Sequence, residues 1–148
     1  MIPVNTPLLN GNEKKYLDEC VHTGWISNEG PFVEKFEKNM ASYIGRKYST
    51  ACSSGSAAID IAVKSLGLQK NDEVIMPTFT IISCAQSLIK QGINPVLVDS
   101  NYKTFNMKVE DIEKKITNKT KAIMIVHIFW ISADIDRIIN IAHKHNLK

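Results

Sequence analysis

Most features that mark a specialised chain are scarce in this sequence. It has three cysteines, Cys20, Cys52 and Cys84, and no Cys-x-x-Cys pair. That odd, widely spaced set offers neither a disulfide frame nor a zinc site and fits reduced thiols in a cytoplasmic protein. Charge nearly balances, 18 Lys and Arg against 15 Asp and Glu for a net +3. The lysines are scattered, so nothing here points to a nucleic-acid partner. No apolar run approaches the length of a membrane span, and residues 1–7 lack the basic segment and apolar core of a signal peptide. His143 and His145 lie two apart on a helix and cannot share a face, so no metal site is expected.

What remains is an alternation of short apolar runs with amphipathic segments. Pro3 and Pro7 make the first ten residues an extended arm. A helix is expected from about Asn12 to His22. A loop follows over residues 23–30, then a helix opened by Pro31 whose stripe is Phe32, Phe36, Met40 and Tyr43. Strands are expected at 48–51, 73–77, 95–99 and 122–126, the last two apolar throughout, as when both faces are covered. Helices are expected at about 55–66, 82–91, 109–116 and 135–145. Four strand–helix units with short connections specify an α/β fold on a mostly parallel sheet. Such sheets bind ligands at the carboxyl ends of their strands, where residues 53–57, 78–82 and 127–130 fall.

Of these segments, Ala51-Cys52-Ser53-Ser54-Gly55-Ser56-Ala57-Ala58-Ile59-Asp60 is the most informative. Six small residues precede a helix with the stripe Ala58, Ile59, Ala62, Val63 and Leu66. The turn has no bulky side chains, so the N–H groups of Ser56 and Ala57 are expected to face open space. Unpaired amides at the positive end of a helix dipole suit an anion, most often a phosphate. Gly55 lets the backbone come close, and Ser56 adds a hydroxyl. A capped helix after a tight turn is the plainer alternative. His127, at the end of an apolar run, is either a ligand-touching group or a histidine satisfied by hydrogen bonds.

Taken together, six segments resemble the DegT/DnrJ/EryC1/StrS family of sugar aminotransferases, which use pyridoxal 5'-phosphate (PLP). They are residues 7–16, Gly24-Trp25-Ile26-Ser27-Asn28-Glu29-Gly30-Pro31, Ser53-Ser54-Gly55-Ser56-Ala57-Ala58, 72–85, Thr104-Phe105-Asn106-Met107, and 119–128. The likeness runs the length of the chain and is greatest to the perosamine-type branch. It implies a type I PLP-transferase fold, the aspartate aminotransferase-like large domain. Residues 1–148 then make the N-terminal arm and the first part of that PLP-binding domain, with the sheet incomplete at the C-terminus. It also implies amino transfer from glutamate to a 4-keto-6-deoxy nucleotide sugar, and a homodimer in a full-length form. By position Gly55, Ser56 and Ala57 hold the cofactor phosphate, and Ile81 covers the pyridine ring in place of an aromatic residue. Trp25, Ser27 and His127 are candidates for sugar or cofactor contact.

Two departures stand out. Trp130 occupies a position where the family has glycine, which should strain that loop. The family's Schiff-base lysine, and the aspartate that pairs with the pyridine nitrogen, have no counterpart here. Lys14, Lys15, Lys35, Lys38, Lys64 and Lys70 fall on helix faces or in a connection, so no catalytic residue is assigned. A non-catalytic remnant, or a truncated relative without the lysine, is the alternative function.

Overall fold

A computed structural model describes residues 2, 3 and 5–148. The expected N-terminal arm includes Met1 and Val4, which lie outside the described residues. The chain divides into two compact units, Met1–Ala51 and Cys52–Lys148.

The N-terminal unit holds α1, Glu13–Thr23, and α2, Pro31–Tyr43. α1 ends where Gly24 takes a left-handed conformation that a side chain would oppose. Pro31 stands in the first turn of α2, where its missing N–H costs nothing. The two helices meet through Tyr16 and Phe32, ring centroids 5.3 Å apart. Residues 48–51, expected as a strand, are irregular. α2 explains this: the Glu37 side chain accepts the Ala51 N–H (2.8 Å), and the Ser49 hydroxyl donates to the Glu37 carbonyl (3.0 Å). Those groups serve a local clasp rather than a sheet.

The C-terminal unit carries three strands, β1 (Glu73–Pro77), β2 (Asn94–Val98) and β3 (Thr120–Ile123), in the order β2-β1-β3. Both pairings are parallel. The sheet therefore has three strands of the four expected. Beyond the end of β3, Met124 still donates to the Ile75 carbonyl (2.8 Å). On the other side of β3, Lys148 donates to the Lys121 carbonyl and accepts from Ile123, each at 2.9 Å.

Alternation along β1 divides the core into two faces. Val74 and Met76 pack with Val63, Cys84, Leu88, Ile93 and Ala122. These residues belong partly to α3 (Gly55–Ser65) and α4 (Ile82–Lys90). Ile75 packs on the opposite face with Val98, Met107, Val109, Ile112 and Ile138, the last from α5 (Ile135–Lys144). Ile75, Leu88 and Ile112 are wholly buried.

The helix expected at 109–116 is instead two short 3-10 turns, Val109–Asp111 and Glu113–Lys115. Val109 and Ile112 are three apart, a spacing that a 3-10 turn places on one side as well as an α-helix does. Glu113 then accepts from Lys144 Nζ (2.8 Å) and His145 Nε2 (2.9 Å) of α5 and its end. The Lys144 hydrogen bond first, and the His145 one second, hold the Glu113 carboxyl below its ordinary value. A depressed carboxyl contributes stability that is present above its unfolded pKa and lost as pH falls through the folded one. Acid titration of wild type and Glu113→Gln should therefore converge below about pH 4.5, the ordinary glutamate value, with wild type the more stable at neutral pH. Parallel curves across the whole range would show that the pair contributes nothing.

Candidate functional site

The carboxyl edge of the sheet gathers three of the segments singled out by sequence. Residues 78–82 leave β1, residues 127–130 follow the extension of β3, and the turn before α3 lies in the same unit.

At the turn, Ser54 is extended (φ −164°, ψ 164°) and caps α3; its hydroxyl accepts from the Ala57 N–H at 3.2 Å. The Ala57 amide, expected to be open, is thus already partnered. Among the described residues the Gly55 and Ser56 amides have no acceptor, since the first turn of a helix has no carbonyls behind it. A Cβ built on Gly55 meets nothing within 4 Å, so the backbone is unobstructed on that side of the turn. The Ser56 and Ser83 hydroxyls lie 2.7 Å apart. Ser83 belongs to the first turn of α4, which has no side-chain cap. Two helix N-termini therefore converge on one pair of hydroxyls, which the sequence alone did not bring together.

Ile81 precedes α4 in extended backbone and is exposed. It shares an apolar groove of about 680 Å³ with Ile59, Met124, Val126 and His127. The Ala133 N–H donates to His127 Nδ1 at 3.0 Å. That bond makes Nδ1 an acceptor, so the neutral imidazole carries its proton on Nε2. Trp25 and Ser27 belong to the N-terminal unit. The Trp25 ring packs on Gly30, where a Cβ would stand 3.3 Å from the indole. The Ser27 hydroxyl is turned onto Glu29, donating to its carbonyl and accepting from its N–H.

Two features of this edge escaped the sequence reading. Phe79, Phe105 and Phe129 form a partly exposed aromatic cluster, with centroid separations of 5.3, 6.1 and 6.0 Å. Asn106 is buried and ties down the 127–131 loop: its Nδ2 donates to the Ile131 carbonyl (3.0 Å), and its Oδ1 accepts from the Ile128 N–H (2.9 Å). Within that loop Phe129 and Trp130 have φ of +49° and +64°. Such left-handed geometry costs an L-residue roughly 1–2 kcal/mol. The Trp130 side chain is wholly exposed, so no packing offsets the cost. Trp130→Gly is therefore expected to raise stability by about 0.5–1 kcal/mol, read as a higher thermal midpoint. A lower midpoint would show that the indole is held by contacts.

No helix is long and apolar enough to cross a membrane among the described residues, and no group of three His, Cys, Asp or Glu could hold a metal ion there.

Comparison with known proteins identifies the family. Residues 7–148 match the DegT/DnrJ/EryC1/StrS aminotransferase family. The GDP-perosamine synthase of Escherichia coli O157:H7 is 43% identical over 146 residues, which make up 99% of this chain and 40% of that protein. Among solved structures, NtdA from Bacillus subtilis with bound cofactor PMP superposes with a TM-score of 0.85 at 37% identity, covering 91% of this chain and 31% of that one. The PLP form of the sugar aminotransferase Spr1654 from Streptococcus pneumoniae gives a TM-score of 0.89 at 29% identity, covering 97% and 36%. The chain thus spans about two fifths of the length of the curated relative and about a third of the structures. It belongs to the DegT/DnrJ/EryC1/StrS aminotransferase family, and its fold is that of the PLP-dependent sugar aminotransferases.

Proposed function

We propose that these residues form the cofactor-phosphate cradle and part of the substrate edge of a PLP-dependent nucleotide-sugar aminotransferase of the perosamine type. In that reading residues 1–148 are the N-terminal arm and the first part of the PLP-binding domain. The amino donor is glutamate, the acceptor is a 4-keto-6-deoxy nucleotide sugar, and the whole enzyme works as a cytoplasmic homodimer.

The observation that carries the reading is the donor set at the N-terminus of α3. Two unpartnered amides, Gly55 and Ser56, stand in the same turn as the Ser56 hydroxyl, which meets that of Ser83, and nothing crowds a Cβ built on Gly55. Hydrogen-bond donors without a nearby acid are the chemistry a phosphate dianion requires. The Ala57 amide joins them when a phosphate oxygen takes the place of the Ser54 hydroxyl. Ile81 supplies an apolar surface for the ring face, so dispersion and exclusion of water replace π-stacking there. His127, its ring fixed by the Ala133 amide, presents Nε2–H as a donor to a ligand oxygen. Trp25 and Ser27 are assigned to sugar contact by their place in the family motif. When bound, PLP supplies the electron sink that lets an amino group pass from donor to sugar.

A chimera tests this reading. Residues 7–148 replace the matching part of the E. coli relative, and amino transfer from glutamate to a GDP-4-keto-6-deoxy sugar is measured. Turnover is expected. Ser56→Ala in the chimera should raise the PLP concentration needed for half-maximal activity about tenfold or more, the weight of one hydrogen bond to a charged group. A folded chimera without transfer, or an unchanged PLP requirement in Ser56→Ala, contradicts it.

A further inference from the structure

We infer that Ser83 is a positioning residue of the phosphate cradle: its hydroxyl donates to Ser56 Oγ and so turns the Ser56 proton toward the phosphate. That role rests on the cofactor-phosphate reading of the α3 N-terminus and adds to it a residue from a second helix.

The two hydroxyls meet at 2.7 Å although 27 positions separate them in sequence. Ser56 is the second residue of α3 and Ser83 the second of α4. Helix packing, not the hydroxyls, sets their separation. Val63 of α3 and Cys84 and Leu88 of α4 are buried in one cluster, with Ile59 and Ala85 packed against it. Further along the two helices, Lys90 Nζ reaches Asp60 Oδ2 at 3.1 Å, and Gln91 Nε2 donates to the Asp60 carbonyl at 3.2 Å. Ser83 therefore stands on a helix held at several points. A fixed partner of that kind is what orients a hydroxyl that otherwise rotates freely.

A hydroxyl pair uses one proton between its oxygens and has one left over, and either oxygen can be the donor. In the free chain both directions are open. A phosphate dianion removes that freedom, because it accepts hydrogen bonds and donates none. Ser56 shares its turn with the two unpartnered amides, so its O–H must point at the phosphate. The reverse order sets a Ser56 lone pair against a phosphate oxygen. The Ser56 oxygen is then the acceptor within the pair, and Ser83 the donor. In such a relay each O–H polarises the next, which strengthens the outer bond.

The same contact links the phosphate to the ring face. Ile81 is the N-cap of α4, two residues before Ser83, and is exposed beside the apolar groove. Ser83 thereby fixes the residue assigned to the pyridine ring relative to the amides assigned to the phosphate.

The test follows binding of pyridoxamine phosphate to this chain by NMR in wild type, Ser56→Ala, Ser83→Ala, Ser83→Thr and the double alanine variant. Ser83→Ala should weaken binding about fivefold, the weight of one hydrogen bond between neutral groups. Ser83→Thr keeps the hydroxyl and should stay within about twofold of wild type. In the Ser56→Ala background, Ser83→Ala should cost nothing more, because Ser83 acts only through Ser56. A role confined to packing lowers the thermal midpoint and leaves affinity alone. Unchanged affinity in Ser83→Ala, a threonine variant as weak as the alanine one, or an equal loss in both backgrounds would each overturn the inference. If Ser83→Ala does not fold, titration of wild type with inorganic phosphate decides. Shifts that reach the Ser83 amide and the Ile81 methyl groups support the role, and shifts confined to residues 54–57 overturn it. A loss in Ser56→Ala with none in Ser83→Ala sinks only the positioning role. No loss in either sinks the phosphate cradle with it.

Discussion

Replacing Asn106 by alanine is expected to destabilise the C-terminal unit by roughly 2–4 kcal/mol, because two backbone groups lose their partners at once. The Ile128 N–H and the Ile131 carbonyl are both satisfied by this one side chain, and Ile128 is itself buried. The same loop holds Phe129 and Trp130 at positive φ. Without the clamp, the backbone is free to relax toward conformations an L-residue prefers, and Phe129 leaves the aromatic cluster. Thermal unfolding should show a midpoint lower by roughly 10 °C, a large share of the stability of a small domain. Asn106→Asp keeps the acceptor and loses the donor, so its midpoint should fall between the two. An unchanged midpoint for the alanine variant would mean that water satisfies both groups and that the loop needs no clamp.

The second large effect is one of chemistry. Borohydride reduction of this chain with PLP is expected to label exposed lysines in scattered fashion, with no single stoichiometric adduct and no amino transfer. Every lysine of the chain is exposed, and the family resemblance assigns the catalytic role to none of them. A lysine acts in such an enzyme by being held close to the reacting carbon, an advantage that solvent-facing side chains cannot supply. Peptide mass spectrometry of the reduced protein checks this. A unique adduct, together with conversion of a 4-keto nucleotide sugar, would show that one of these lysines is catalytic.

The elements that sequence made legible are those with one dominant signal. The runs Val74-Ile75-Met76 and Val96-Leu97-Val98 are apolar and rich in β-branched residues, and they became the parallel pair β1 and β2. α2 and α3 carried their stripes together with Pro31 and Ser54 at their starts. The failures came where two structures share one pattern. Tyr48–Ala51 has strand-favouring residues, yet a glutamate from the preceding helix captured its hydrogen bonds. Val109, Ile112 and Ile116 fit an α-helix and two 3-10 turns alike. At the candidate site, the small-residue turn was readable because helix ends leave amides open whatever the fold. The Ser56–Ser83 contact and the Phe79–Phe105–Phe129 cluster were not. Their members are far apart in sequence, and only the strand order brings them to one edge. Asn106 reads as an ordinary turn residue, and its role as a clamp depends on a loop more than twenty residues away.

In the proposed function the N-terminus of α3 receives a cofactor phosphate. The most direct measurement is an NMR titration of the chain with pyridoxamine phosphate, set against pyridoxamine, which lacks the phosphate and cannot react with surface lysines either. Amide shifts are expected at Gly55, Ser56 and Ala57, and at Ser83 across the hydroxyl pair, with pyridoxamine phosphate and not with pyridoxamine. Identical shifts with both compounds, or a response to pyridoxamine phosphate that leaves Gly55 and Ser56 unmoved, would contradict it.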